Sequence, residues 1–290
     1  MRVLYNKDKW LDIYGSVKYQ EIRDKICNTF NELVFVEEGH KYFLKGKELV
    51  CVSNVIHRFQ KHFNSVQNAK ETSERNYYNK RSKYYGMTAE EILASWQKNS
   101  ETACSHGTER HEFGESCFYY MTGQYDKILP DFKDRLTEDG GFVAIHPKEE
   151  AVVKFYEDIP KCIVPILAET KVYDYDLGYA GTFDILFYYD AELDNKPAEK
   201  SGLVIMDWKT NKDLYKNYCG QTLLPPFQDK LDMPLSLYML QLSLYENCLN
   251  KIGFKVVSRK ILWLKPEGIY DKINLESYMN ILRQELAKHN

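Results

Sequence analysis

The alternation of apolar and polar positions marks out a few sharply bounded segments. Leu203 to Lys209 is a short apolar run closed by Ser201-Gly202 on one side and Thr210-Asn211 on the other, which is the pattern of a buried strand. A period of two puts Asp207 and Lys209 on one face and Trp208 on the other. Tyr179 to Tyr189 is a second candidate strand with Asp184 inside it; if the two strands lie close together, Asp184 and Asp207 converge. Ser105 to Gly123 reads as a helix, because Phe113, Cys117 and Met121 recur at four-residue intervals and Gly123 ends the run. Gly107, His111 and Glu115 form a second four-residue series on it, lining one face. Leu235 to Leu249 is a strongly apolar helix into which Gln241 and Tyr245 bring polar groups.

The flanking segments follow the same logic. Leu33 to Val52 reads as strands broken at Glu38-Gly39 and Lys45-Gly46, after which Ser53 can cap a helix through Val55, Ile56 and Phe59. Thr88-x-x-Glu91 is a capping-box pattern opening a separate helix through Ile92, Leu93 and Trp96. Asp126 to Asp158, acidic and rich in breaks, is expected to be a surface excursion. Asp190 to Gly202 fits a connection between strands, and Thr210 to Lys230 a long irregular insert. Lys255 to Leu264 gives a late strand and Asn274 to Leu286 a closing amphipathic helix. A division into a front end over residues 1–100, able to serve as a DNA-binding lobe, and a core over 101–290 is expected.

The chemistry sits on the strands. An acid among Leu203, Val204, Ile205 and Met206 needs its charge compensated. A metal ion can do this, and hard cations are held by one or two carboxylates with water and phosphate completing the shell. Lys209 can then orient or deprotonate an attacking water or offset charge on a phosphate. A plain Asp207–Lys209 salt bridge at a strand end accounts for the same three residues. His111 is either a further metal ligand or an ordinary hydrogen-bonded helix histidine; Glu115 reads as helix surface. Gln241 is either a satisfied core amide or a polar arm toward the site.

Taken in order, Gly107-x-x-x-His111 on a helix, Glu169 opening a strand, Gly181-x-x-Asp184, Asp207-x-Lys209 and Gln241-x-x-x-Tyr245 on a helix resemble the PD-(D/E)XK nuclease superfamily, in particular its RecB-type exonuclease branch with mitochondrial and phage-encoded members. The stretch carrying the resemblance runs from about Gly107 to Tyr245. It implies an α/β fold with a restriction-endonuclease-like mixed sheet core of αβββαβ type, flanked by helices and preceded here by an N-terminal hairpin and helical extension. It implies magnesium or manganese held by His111, Asp184, Asp207 and the Trp208 carbonyl. Lys209 would be the catalytic lysine, Glu169 a supporting acid, and Gln241 and Tyr245 the helix motif beside the site. The first acid follows Phe183 where the family name promises proline. The implied activity is a metal-dependent deoxyribonuclease, preferentially an exonuclease on single-stranded or end-bearing DNA; the alternative is a catalytically silent nucleic-acid-binding or virion component with the same fold. Relatives that carry an iron–sulfur cluster place one cysteine upstream and a close trio near the C-terminus, whereas Cys219 and Cys248 stand apart here, so no cluster is expected.

Composition adjusts this picture rather than making it. The 290 residues suffice for one large core with accessory elements. No apolar run approaches the roughly 20 residues of a membrane span, and the first fifteen residues resemble neither a secretory signal nor a transit peptide. No membrane partner and a cytoplasmic location, host cytoplasm for a phage-encoded protein, are therefore expected. The seven scattered cysteines suggest reduced thiols. The net charge of −3 leaves room for a local basic track. Lys61, Lys70, Arg75, Lys80, Arg81 and Lys83 outnumber Glu71 and Glu74, with Tyr77, Tyr78, Tyr84 and Tyr85 interleaved. Such alternation suits single-stranded nucleic acid, and equally a solvated helix with tyrosines packed beneath it.

Overall fold

A computed structural model of the protein describes residues 1–5, 8–217 and 220–288. The elements in chain order are β1 (Arg2–Tyr5), α1 (Leu11–Tyr14), α2 (Val17–Phe30), β2 (Val34–Val36), β3 (Lys41–Leu44), β4 (Lys47–Cys51), α3 (Val52–His57), α4 (Ser65–Asn76) and α5 (Ala89–Met121). There follow β5 (Gly141–Ala144), α6 (Pro147–Asp158), β6 (Ile163–Asp174), β7 (Tyr179–Tyr189), β8 (Gly202–Lys209), α7 (Pro234–Lys251), β9 (Val256–Leu264), β10 (Tyr270–Asn274) and α8 (Met279–Leu286). The chain forms two compact units, residues 61–109 and residues 1–60 with 110–290. The boundary expected at residue 100 thus falls inside α5.

The larger unit is mixed α/β. Its main sheet runs β10-β9-β8-β7-β4-β3-β2, with β6 also paired to β7; β8–β9 and β4–β7 are parallel and the rest antiparallel. A second, two-stranded sheet joins β1 to β5. One edge of β7 carries β6 along its length. The other edge is shared: Tyr179 and Ala180 pair with β4, and Ile185 to Tyr189 with β8. Gly181 to Asp184 lie in the fork between them. The expected strands over 179–189 and 203–209 match β7 and β8 almost residue for residue, because both are buried runs with turn residues at each end.

Three segments differ from expectation. The two helices expected before and around His111 are one 33-residue helix, α5, that continues through the polar run after Trp96. The Thr88–Glu91 capping box is present: the Thr88 amide donates to Glu91 Oε2 at 2.8 Å and the Glu91 amide to Thr88 Oγ1 at 3.3 Å. The supposed surface excursion holds β5 and α6. His146 caps α6, accepting from the Lys148 amide, and the face made of Ala151, Val152, Phe155 and Tyr156 is fully buried. Finally, the stretch expected as one closing helix begins after an edge strand, β10, whose polar sequence hides its pairing with β9. Ser53 lies within α3 instead of capping it, since Cys51 is the boundary residue. Cys219 lies outside the described residues. Among them, no helix is long and apolar enough to cross a membrane.

In the smaller unit the Asn64 side chain caps α4 by accepting from the Gln67 amide. Trp96 on α5 donates to the Tyr84 hydroxyl at 2.8 Å and meets Phe63. Tyr77, Tyr78 and Tyr85 are exposed, Tyr78 at 87%. Only Tyr84 of the four therefore packs in the way a solvated helix with buried tyrosines would require.

Candidate metal centre

Sheet register builds the site. The β7–β8 ladder runs from Tyr189↔Gly202 to Ile185↔Met206 and stops, so Asp184 and Asp207 occupy the next opposed positions. On the other side of β7, Ala168 pairs with Ile185 and Thr170 with Phe183, which sets Glu169 opposite Asp184. Three carboxylates thus stand on three neighbouring strands. Like charges across a sheet repel, so this row exists only because other groups, or a ligand, offset it.

The protein supplies part of the offset. His111 Nδ1, from α5, lies 3.1 Å from Asp184 Oδ2. The Trp208 amide, freed by the end of the ladder, donates to the same oxygen at 2.7 Å. Burial pushes the Asp184 carboxyl up, but the His111 ring, Lys209 and the Trp208 N–H together hold it below its ordinary value. Conversely, burial disfavours protonated His111, yet Asp184 raises its pKa overall. Lys209 forms an ion pair with Asp207 Oδ2, and its Nζ sits 4.4 Å from the centre of the Tyr238 ring. Burial alone would lower the lysine pKa; Asp207 and Asp184 outweigh it, so the group stays an ammonium ion near neutrality.

Asp207 is left short. It is 1% exposed, and apart from the Lys209 ammonium no donor among the described residues reaches its oxygens. Burial first, and then the charge of Asp184, push its carboxyl up to about 6 despite Lys209 and His111. Glu169 is held well above the usual range by burial, then by Asp184, Glu115 and Asp207. Its backbone is left-handed, φ +42°, a conformation that costs a non-glycine residue about 1–3 kcal/mol and clusters at functional sites.

No family model and no curated protein matches this chain. Ligand atoms of His111, Glu169 and Asp184 all lie within 4.8 Å of one another and can hold a metal ion. This set differs in one member from the expected one: Glu169 joins the cluster directly, while Asp207 lies beside it, occupied by Lys209. Carboxylate oxygens suit hard divalent cations, and an imidazole also suits zinc, iron, copper and nickel. Trp208 reaches the site through its backbone; its indole packs against Phe155 and Tyr156 on the opposite side. Gln241 Nε2 donates to the Tyr245 hydroxyl at 3.2 Å. Burial, and then the charge of Asp207, raise the Tyr245 pKa well above normal.

Four residues contribute in ways that the sequence does not assign to them. A Cβ on Gly114 would lie 2.6 Å from Trp208 Nε1, so this glycine lets α5 close on β8; Gly181 similarly admits the Tyr245 ring. Tyr238 lies against the Lys209 ammonium. Glu115 is half-buried rather than surface, accepts from Tyr119 at 2.9 Å, and contributes to the field at Glu169. Its four-residue spacing from His111 was the available signal.

Proposed function

We propose that the protein is a metal-dependent deoxyribonuclease that hydrolyses phosphodiester bonds, with α5, β6, β7, β8, α7 and β9 forming a restriction-endonuclease-like αβββαβ core. The observation that carries the reading is Asp207: a fully buried carboxylate whose partner is the Lys209 ammonium and which accepts from no other group among the described residues, in a row of three acids that also holds one histidine. Lys209 and His111 offset part of the charge of such a row, and a metal ion would offset the rest. When bound, a magnesium or manganese ion supplies Lewis-acid polarisation of the phosphate and a more acidic water. His111, Glu169 and Asp184 would hold it, and Asp207 and the Trp208 carbonyl, the further ligands that the resemblance implies, lie on the neighbouring strand. Lys209, kept protonated by its neighbours, orients the attacking water and offsets charge on the phosphate; as an ammonium it has no free base to offer. Tyr245 and Gln241 form a polar lining on α7. The preference for single-stranded or end-bearing DNA rests on the family resemblance and the basic, tyrosine-rich segment, and a cytoplasmic setting belongs to the same reading.

The test is purified protein with end-labelled single- and double-stranded DNA in magnesium, manganese or chelator. Cleavage is expected with either metal and none with chelator. Lys209→Ala should lower the rate by about 100-fold or more while leaving the fold intact. Absence of cleavage under every metal overturns the proposal.

A further inference from the structure

The chain leaves the catalytic strand into a segment that is firmly tied down. Asn211 accepts twice, its backbone carbonyl from Trp263 Nε1 at 2.7 Å and its Oδ1 from the Tyr238 hydroxyl at 2.9 Å. Leu214 is fully buried, and its carbonyl accepts from the Leu235 amide at 3.1 Å. Asp213 Oδ1 accepts the Tyr215 amide at 2.8 Å. A loop anchored this well can bury its aromatic residue, yet Tyr215 is 53% exposed. Its ring meets Trp263 edge-on, centroids 6.1 Å apart.

The position of this ring is specific. Trp263 pairs in register with Lys209 on the adjacent parallel strand. Tyr238, which holds Asn211, is the same ring that lies against the Lys209 ammonium. Tyr215 lies six positions beyond Lys209, a reach of at most about 20 Å. Lys212, between them, is exposed and has no ion pair among the described residues.

Resting on the nuclease reading, we propose that Tyr215, backed by Trp263, is a stacking platform for an unpaired nucleobase of the strand bound at Lys209, with Lys212 taking a neighbouring phosphate. An exposed aromatic face on a rigid support recognises a π-surface without regard to base identity. A base inside a duplex has both faces covered by its neighbours, so the platform favours single strands and frayed ends over intact duplex.

The experiment compares the wild type with Tyr215→Ala and Tyr215→Phe. Binding of fluorescein-labelled single-stranded oligothymidylate, the same strand with abasic sites, and blunt duplex is read by anisotropy in chelator, where no cleavage intrudes. Cleavage is then followed in manganese. Tyr215→Ala is expected to weaken binding of oligothymidylate by about tenfold or more, to leave abasic and duplex binding unchanged, and to raise KM with kcat retained. Tyr215→Phe should behave as wild type, because stacking uses the ring and not the hydroxyl. Equal loss for both variants, or no loss for Tyr215→Ala, overturns the platform. Because binding is measured without turnover, a wild type that binds in this Tyr215-dependent way but never cleaves DNA would sink the nuclease reading and leave the stacking contact standing.

Discussion

Glu149 and Asp207 are two carboxylates buried to the same 1% exposure, and the protein treats them in opposite ways. Glu149 is fully engaged: Arg110 at 3.2 Å, Arg135 at 3.4 Å, and the backbone amides of Ile145 and His146 at 2.8 and 3.2 Å. Asp207 has the Lys209 ammonium and no second donor among the described residues. The first arrangement is what a structural acid requires, since a buried charge is tolerated only when paired and hydrogen-bonded. The fold can evidently provide that. The sparser partnering of Asp207, beside Asp184 and Glu169, is what the proposed metal site rests on.

Substitutions can break or sharpen this contrast. Glu149→Gln leaves two guanidinium groups without their acid and should destabilise the protein by about 3 kcal/mol or more, measured by denaturant unfolding. Asp207→Asn should do the reverse in chelator at neutral pH. The native carboxyl titrates at about 6 against an ordinary value of 3.8. Between those values the native state holds more protons than the unfolded chain, so stability falls as pH rises, and above about 6 the whole penalty is present. Removing the charge should therefore stabilise the metal-free protein by about 1–3 kcal/mol and abolish cleavage. Destabilisation in chelator would mean that Asp207 is a structural acid after all.

A smaller effect concerns Gly114. Gly114→Ala should cost about 1 kcal/mol or more through its collision with the Trp208 indole, and should slow cleavage by shifting the strand that carries Asp207 and Lys209. An unchanged unfolding midpoint would show that α5 does not set the position of β8. The most modest effect is one of pH. Metal-induced stabilisation should grow from about pH 5 to about pH 7, because the ion competes with the proton that leaves Asp207 near the middle of that range. A thermal shift with manganese that is flat across it would dissociate Asp207 from the metal.

What the sequence revealed follows from where the information is local. β7, β8 and α7 were legible because each is an apolar run with Gly, Ser, Asn or Pro at its ends, and the period of a strand already set Asp207 beside Lys209. α6 was not, since its buried face, Ala151 to Tyr156, sits inside an acidic stretch whose polar residues mask the helical period. α5 has the sequence pattern of two helices because its middle is polar, although nothing in that run breaks a helix. The opposition of Glu169 to Asp184 depends on the register of β6 on β7, and the clamp on Glu149 joins residues from α5, α6 and the segment before β5. Such pairings have no local signature.

Titration of manganese followed by its electron paramagnetic resonance signal, on the wild type, Asp184→Asn and Glu169→Gln at neutral pH, tests the central claim most directly. A saturable manganese site is expected in the wild type and is expected to be lost in both variants while the Glu149 clamp keeps them folded. Absence of binding in the wild type, or equal affinity in all three proteins, would contradict the assignment of this acid row as a metal centre.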